Sequence, residues 1–271
     1  MDNSGVGGKV TSHGYKVDYV RWGDEGPSVV IIHSMGLDAH SMDLLTERLS
    51  DSCRILSLTI LGHGDSDVPV KAPSLREHAE MMRDCYTRLG FKPNILIGHS
   101  IGGMMGMIMA ADHGDEIRGL ALVDIAPFDS AGRPVRPPPP EVFADEEAAA
   151  AYLRARYPGF TEAYIGNRLR HGFVRGRDER LRLKPIGDSI RSTLATDLWP
   201  YADRIKVPTI LIVGGDSDTV KPEAVARLRA HIPRLEAVMV MGASHMVPQD
   251  RPEEFETIVR GFIQKFGSAT P

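Results

Sequence analysis

The chain contains the pattern G-x-S-x-G at residues 98–102, with Ser100 at its centre. An apolar run precedes the pattern and a helical pattern follows it, which places the serine on a sharp turn between a strand and a helix. The flanking glycines leave room for such a turn, and the turn lifts the hydroxyl out of the sheet. We therefore predict that Ser100 is a nucleophile, although the same pattern also arises by chance in sequences rich in glycine and serine.

A serine hydroxyl is a weak nucleophile, so it needs a base that is itself held by an acid. His245 follows the apolar run LEAVMVM and is the predicted base. Three carboxylates are candidates for the acid: Asp216 and Asp218 after the run VPTILIV, and Asp124 at the end of the run GLALV. Because the carboxyl ends of parallel strands meet at one edge of a sheet, each of these carboxylates could approach the base. The residues alone therefore do not decide which carboxylate is the acid.

Apolar runs alternate with helical patterns through most of the chain, which predicts an α/β fold with a mainly parallel central sheet and flanking helices. The alternation stops after residue 126 and resumes at residue 206. We therefore expect a core domain of residues 1–126 and 206–271, interrupted by a helical cap of residues 127–205. Within the cap, the run RPVRPPPP must be extended, and DEEAAAAYLRARY, TEAYIGNRLRHG and DSIRSTLATDLW are predicted helices.

Further motifs resemble those of the α/β-hydrolase fold family, in particular its capped serine hydrolases, from about residue 15 to 266. GHGDS at residues 62–66 resembles a turn of that family, and the chain order serine, aspartate, histidine is the order expected of it. The segment Gly215-x-x-Asp218-x-x-x-Pro222 resembles the family's acid loop. The resemblance therefore implies Asp218 as the triad acid.

HSMG at residues 33–36 resembles the loop that supplies half of the oxyanion hole in this family, although Ser34 stands where glycine is usual. The resemblance implies an oxyanion hole formed by the backbone N–H groups of Met35 and Ile101. It also implies that His33 is structural. A serine at position 100 argues against the related epoxide hydrolases and haloalkane dehalogenases, which use aspartate there.

We expect the chain to hydrolyse a carboxylic ester-type bond of a small molecule (ester, lactone or thioester; EC 3.1.1) through an acyl-enzyme on Ser100. Three alternatives remain: a C–C bond hydrolase, a cofactor-free oxygenase, and a ligand receptor that retains the triad. Arginines of the cap could pair with a carboxylate of the substrate, although solvated helix faces are the favoured explanation for them. These are Arg168, Arg170, Arg175 and Arg177.

The composition narrows the classes of partner. Lys plus Arg number 32 and Asp plus Glu 36, giving a net charge of -4, which does not favour nucleic acid or anionic membrane as a partner. The start of the chain lacks a signal-peptide pattern and no apolar run is long enough to span a bilayer, so a cytoplasmic protein is expected. Cys53 and Cys85 are read as structural thiols. We expect no metal and no cofactor, because no motif has the required spacing.

Overall fold

The computed structural model describes residues 5–127, 138–185 and 188–267 of the chain. These residues form ten strands: β1 (Val6–Ser12), β2 (Tyr15–Trp22), β3 (Ser28–Ile32), β4 (Arg54–Leu58), β5 (Ile95–His99), β6 (Gly119–Val123), β7 (Phe173–Arg175), β8 (Leu181–Leu183), β9 (Thr209–Gly214) and β10 (Leu235–Val240). Eight of the strands form one sheet in the order β1-β2-β4-β3-β5-β6-β9-β10, and β7 pairs with β8.

The described residues also form nine α-helices: α1 (Asp43–Leu49), α2 (Leu75–Arg88), α3 (Ile101–Asp112), α4 (Glu146–Arg156), α5 (Glu162–His171), α6 (Trp199–Ala202), α7 (Pro222–His231), α8 (Val247–Asp250) and α9 (Pro252–Phe266). Three 3₁₀ segments complete them: Ala39–Met42, Gly114–Glu116 and Asp188–Ala195. None of these helices has the length and apolar character needed to cross a membrane.

The large sheet is parallel from β4 to β10, and only β1–β2 and β2–β4 pair in the antiparallel sense. The strands β3, β5, β6 and β9 are buried along their whole length, as expected of apolar strands that are covered by helices on both faces. Alternate residues of β3 belong to the two hydrophobic clusters on opposite faces of the sheet. The predicted α/β fold with a mainly parallel sheet is confirmed.

The topology determines where the predicted site residues lie. In the sheet, β5, β6, β9 and β10 are consecutive neighbours, all parallel to one another. Their carboxyl ends therefore share one edge, and the loops that follow them carry Ser100, Asp124, Asp218 and His245. This edge is where ligands bind in sheets of this kind.

The segment between β6 and β9 lies outside the large sheet, and we call its described part, residues 138–185 and 188–205, the insertion. Its helices α4 and α5 and its hairpin β7–β8 form a third hydrophobic cluster, which also includes Leu37 and Met246 from the rest of the chain. Leu37 follows the predicted oxyanion loop and Met246 follows His245. The insertion is thus packed directly against two loops of the candidate site.

Two features of the insertion differ from the sequence-based expectation. Asp188–Ala195, part of a predicted helix, is a 3₁₀ segment, and the hairpin β7–β8 was not anticipated. Strands of three residues are too short to show an alternating pattern, which explains why periodicity missed them. Residues 133–137 of the proline-rich run, for which an extended conformation is predicted, lie outside the described residues.

Candidate active site

Ser100 occupies the sharp turn between β5 and α3. Its φ of 53° and ψ of -115° lie in a region that residues other than glycine rarely adopt. Two backbone hydrogen bonds hold the turn: Ser100 N–H donates to Val123 O (3.0 Å), and Ser100 O accepts from Met104 N–H (3.0 Å). Glycine is required at position 102, because a Cβ there would collide with the backbone carbonyl of Ile32. The turn therefore holds Ser100 in a strained backbone conformation at the end of a buried strand.

His245 lies in the loop after β10, and its ring contacts a buried carboxylate. The distance between His245 Nδ1 and Asp124 Oδ2 is 2.7 Å, and Thr219 Oγ1 lies 3.2 Å from the same nitrogen. An ionised carboxylate can only accept a hydrogen bond, so Nδ1 must carry the proton. The lone pair of the neutral imidazole is then on Nε2, the nitrogen that can act as a base.

The sequence-based choice of Asp218 as the partner of this histidine is not what the structure shows. Asp218 is exposed, and within the described part of the chain no hydrogen bond or ion pair connects it to His245. Asp216, the neighbouring candidate, is also exposed. After β9 the chain turns toward the loop that follows β10, where Asp216 N–H donates to Ala243 O (2.9 Å). This turn leaves the side chains of Asp216 and Asp218 in solvent, whereas the carboxylate of Asp124 lies within hydrogen-bonding distance of the imidazole.

Asp124 directly follows β6, the strand between those that carry the serine and the β9 loop. It is completely buried and has a φ of 45°. Its Oδ1 accepts from Gly214 N–H (2.9 Å), and its Oδ2 accepts from the Ser217 hydroxyl (2.5 Å) as well as from His245. Burial acts to raise the pKa of Asp124, but these hydrogen bonds, above all that from His245, hold the pKa below its usual range. The carboxylate is therefore ionised at neutral pH.

His99 connects the serine turn to the loop of His245. His99 Nε2 lies 2.8 Å from His245 O, so it donates the hydrogen bond, and the two rings are 5.2 Å apart between centroids. Complete burial, followed by the charge of His245, lowers the pKa of His99 to about 3. His99, which directly precedes Ser100, is therefore neutral and holds the backbone of His245 next to the serine turn. No hydrogen bond joins Ser100 Oγ to the His245 ring among the described residues.

The loop after β3 carries Met35, whose backbone N–H was predicted to bind an oxyanion together with that of Ile101. Within the described residues, neither N–H has a hydrogen-bond acceptor. Buried His33 holds this loop, because its Nδ1 donates to Ser34 O (2.7 Å) and its Nε2 accepts from Ile60 N–H (2.9 Å). The backbone N–H groups of Met35 and Ile101 are therefore available to bind an oxygen atom of a ligand.

An arginine of the insertion reaches the same loop. The guanidinium of Arg168, on α5, donates to Asp38 Oδ2 and to Gly36 O, both at 2.6 Å, and only 9% of its side chain is exposed. Arg175 is paired with Glu146 (3.0 Å), while Arg170 and Arg177 are exposed. Of the arginines considered for substrate binding, Arg168 is thus committed to an internal ion pair beside the candidate oxyanion loop.

Sequence reasoning did not identify Ser217, Thr219 or the Arg168–Asp38 pair as parts of the site. Ser217 and Thr219 flank Asp218, and no pattern distinguishes them from ordinary loop residues. The sequence offered Asp124 only as an alternative acid. The strand that it follows, β6, lies directly beside β5, which Ser100 follows, and this position favours Asp124. Among the described residues, none of the candidate catalytic side chains belongs to a cluster of metal-ligating groups. A broad groove near Arg204 and Arg234 lies at the amino ends of the strands, far from this edge.

Comparisons with known proteins bear on this arrangement. The model of the Alpha/beta hydrolase family matches residues 29–258. The chain is 28% identical over 257 residues to 2-(acetamidomethylene)succinate hydrolase of Mesorhizobium japonicum, with 90% of each chain covered. It is 26% identical to an esterase of Mycobacterium tuberculosis, covering 91% of this chain and 86% of the relative.

A third relative is N-formylmaleamate deformylase of Pseudomonas putida, which is 24% identical, with 97% of this chain and 95% of the relative covered. Among solved structures, that of E-2-(acetamidomethylene)succinate hydrolase superposes with a TM-score of 0.86 at 25% identity, covering 96% of this chain and all of that one. These relatives are hydrolases.

Proposed function

Because the chain belongs to the Alpha/beta hydrolase family and its relatives are hydrolases, we propose that it cleaves a carboxylic acyl bond through an acyl-enzyme on Ser100. The observation that carries the proposal is the 2.7 Å hydrogen bond between His245 and buried Asp124, at the edge of the sheet where strained Ser100 lies. In this proposal Ser100, His245 and Asp124 form the catalytic triad, and Asp124 takes the place that the sequence assigned to Asp218.

The proposed reaction begins when Ser100 Oγ attacks the carbonyl carbon of the substrate while His245 Nε2 removes its proton. Asp124 keeps the imidazole in the tautomer with Nδ1 protonated and stabilises the imidazolium that forms. The backbone N–H groups of Met35 and Ile101 hold the oxyanion of the tetrahedral intermediate. His245 then protonates the leaving group, and a water molecule activated by the same base releases the acid from Ser100.

The insertion serves in this proposal as a cap over the site, because it packs on the residue after the oxyanion loop and on the residue after the base. Substrate selection then depends on its inner face. An ester, a lactone or a thioester of a small molecule is the substrate class that we favour. Esterases of similar sequence support this choice, including that of Mycobacterium tuberculosis.

Hydrolysis of an N-acyl bond is a second candidate. Two relatives aligned over nearly their whole length are named for acylated nitrogen compounds, an acetamidomethylene succinate and an N-formylmaleamate. The same triad chemistry applies to amides, with the difference that His245 must protonate a poorer leaving group. Both names also contain a carboxylic acid, so anionic acyl compounds belong in any test of substrate choice.

The experiment is a substrate screen of the wild-type chain and of Ser100→Ala, with acyl esters, lactones, thioesters and N-acyl amides, each with and without a remote carboxylate. We expect turnover of at least one class by the wild type, with a loss of at least about 1,000-fold in Ser100→Ala. If Ser100→Ala retained the activity of the wild type, an acyl-enzyme on Ser100 would be ruled out. The comparison of kcat/KM between esters and amides then decides between the two candidates.

A further inference from the structure

His40, Asp43 and His171 form a cluster of metal-ligating side chains where the insertion meets the rest of the molecule. His40 belongs to the 3₁₀ segment Ala39–Met42, Asp43 is the first residue of α1, and His171 is the last residue of α5. The nitrogen atoms and the carboxylate oxygen that could act as ligands all lie within 4.8 Å of one another. The described part of the chain contains this one such cluster, and the proposed catalytic mechanism makes no use of it.

The distances around Asp43 suit a small divalent ion. Asp43 Oδ2 lies 2.8 Å from His40 Nδ1 and 3.9 Å from His171 Nε2. An ion held at about 2.0–2.1 Å by tetrahedral ligands separates neighbouring ligand atoms by roughly 3.3 Å. The two observed distances lie on either side of that value, so each nitrogen is about half an ångström from coordination spacing with Oδ2.

The two imidazoles already face the same carboxylate from one side. Their rings are stacked, with centroids 3.7 Å apart and an angle of 13° between the ring planes. Because an imidazole lone pair lies in the plane of its ring, both rings must rotate out of this stack to direct their lone pairs onto one ion beside Oδ2. The side chains are 26% and 33% exposed for His40 and His171, against 12% for Asp43, so an ion can enter from solvent and keep water ligands.

The surroundings of the carboxylate also favour a cation. Asn167, one turn before His171 on α5, donates through Nδ2 to Asp43 Oδ2 (3.0 Å). Asp43 Oδ1 is buried and has no hydrogen-bond partner among the described residues. A buried carboxylate oxygen without a partner carries an energetic cost that a bound cation relieves. Asn167 is placed to orient the carboxylate, as outer groups do around ligands in metal sites.

We infer that His40, Asp43 and His171 bind one divalent transition-metal ion of the zinc type, which fastens the insertion to the segment before α1. Two imidazoles and one carboxylate, with solvent at the remaining positions, suit zinc and its neighbours in the first transition row. Magnesium prefers oxygen ligands and is excluded by the same set. The inference is independent of the proposed catalytic function, since it concerns different residues.

The test is isothermal titration of zinc chloride, and separately of magnesium chloride, into the full chain after treatment with a chelator and dialysis. We expect one zinc ion bound per chain, a raised Tm with zinc, and neither effect with magnesium. His171→Gln and His40→Gln should each weaken zinc binding by at least about tenfold, since loss of an outer partner alone costs 10–100-fold. Both side chains are partly exposed, so the substitutions spare the core.

His231→Gln is the matched control, because His231 also pairs with one carboxylate, Asp203 at 2.6 Å, but no second imidazole belongs to that pair. It should bind zinc as the wild type does. X-ray absorption of the zinc-loaded wild type should show two imidazole nitrogens and carboxylate or water oxygen at about 2.0–2.1 Å. Absence of zinc binding, binding unchanged in both variants, or a shell without two imidazoles would overturn the inference.

Discussion

Asp124 Oδ2 lies between the His245 ring and the Ser217 hydroxyl, and this position decides which substitution should abolish activity. Asp124→Asn keeps the size of the side chain, and asparagine tolerates the φ of 45° at this position. Its amide nitrogen must face either His245 Nδ1 or the Gly214 N–H. The Gly214 N–H can only donate, whereas the imidazole can move its proton to Nε2, so the amide nitrogen faces the ring and holds it in the wrong tautomer. We expect kcat on an activated ester to fall by about 10⁴-fold.

Asp218→Asn is the matched control for this substitution, since Asp218 is exposed and, in the part of the chain that the structure describes, has no hydrogen bond or ion pair with His245. It should retain the wild-type kcat within about threefold, as expected of a surface change. Circular dichroism and the Tm of both variants establish that each is folded. The opposite pattern, with an active Asp124 variant and an inactive Asp218 variant, would return the acid to the loop after β9.

For single residues, the sequence is informative where a turn of the chain accepts only certain residue types. Ser100 and His245 could be proposed from the sequence because the glycine-flanked turn and the position after the last strand leave few alternatives. The sequence could not decide between Asp124 and Asp218 as the acid, because both follow strands that end at the same edge. The choice depends on how the β9 loop turns, and that turn follows from tertiary hydrogen bonds such as Asp216 N–H to Ala243 O.

The helix α5 is tied to the loop after β3 by the buried pair of Arg168 and Asp38. Burial acts to raise the pKa of Asp38, but the charge of Arg168, together with smaller contributions from neighbouring histidines and a backbone hydrogen bond, lowers it. Arg168→Met keeps the apolar stem and leaves a buried carboxylate without its cation. We expect the free energy of unfolding to fall by about 3–5 kcal/mol.

Asp38→Asn combined with Arg168→Met removes both charges, so the double variant should recover most of the lost stability. Urea unfolding of the wild type, both single variants and the double variant gives the coupling energy. Additive effects of the two substitutions would mean that the ion pair does not hold α5 in place.

Among the elements, the helices predicted from DEEAAAAYLRARY and TEAYIGNRLRHG are present as α4 and α5. The helix α2 begins with the capping box of Ser74 and Glu77, and α4 begins at the N-cap Asp145. The hairpin β7–β8 was missed because its strands are only three residues long, and they are held by packing of Phe173 and Leu181 in the cluster of the insertion. Such packing depends on residues that are distant in sequence.

Four buried histidines make the stability of the whole molecule depend on pH. Burial is the first cause in each case, and it lowers the pKa to about 4 or about 3. The residues are His33, His63, His78 and His99. Because an unfolded histidine has a pKa near 6.5, the unfolded chain binds more protons than the folded chain as the pH falls below that value. Their contribution to stability is therefore complete above about pH 6.5 and is lost toward pH 4.

His78 provides the clearest test, because both of its ring nitrogens are buried and have no hydrogen-bond partner within the described ranges of the chain. His78→Leu should reduce the slope of unfolding free energy against pH by about one proton, or on the order of 1 kcal/mol per pH unit between about pH 6 and 5. Urea unfolding at several pH values measures the slope. Met82→Leu, a buried change on the same helix, should leave the slope unaltered; an equal slope in all three chains would contradict the account.

The fold of the whole molecule could be read from the alternation of strands and helices, but the substrate could not. In the proposed function the insertion shapes the binding site, but its charges do not identify a ligand, since Arg168 is bound to Asp38 and Arg175 to Glu146. Sequence patterns count arginines without showing which are already paired. The choice between ester and N-acyl substrates therefore belongs to the substrate screen.

The central claim, that Ser100 is a nucleophile activated by His245 and Asp124, is tested most directly with a fluorophosphonate, which requires no knowledge of the substrate. An activated serine forms a covalent bond to phosphorus and displaces fluoride, which adds a fixed mass to the chain. We expect intact-mass analysis to show one label, peptide mapping to place it on Ser100, and Asp124→Asn to react far more slowly than Asp218→Asn. A label on another serine, or an unlabelled chain that still hydrolyses an ester, would contradict the account.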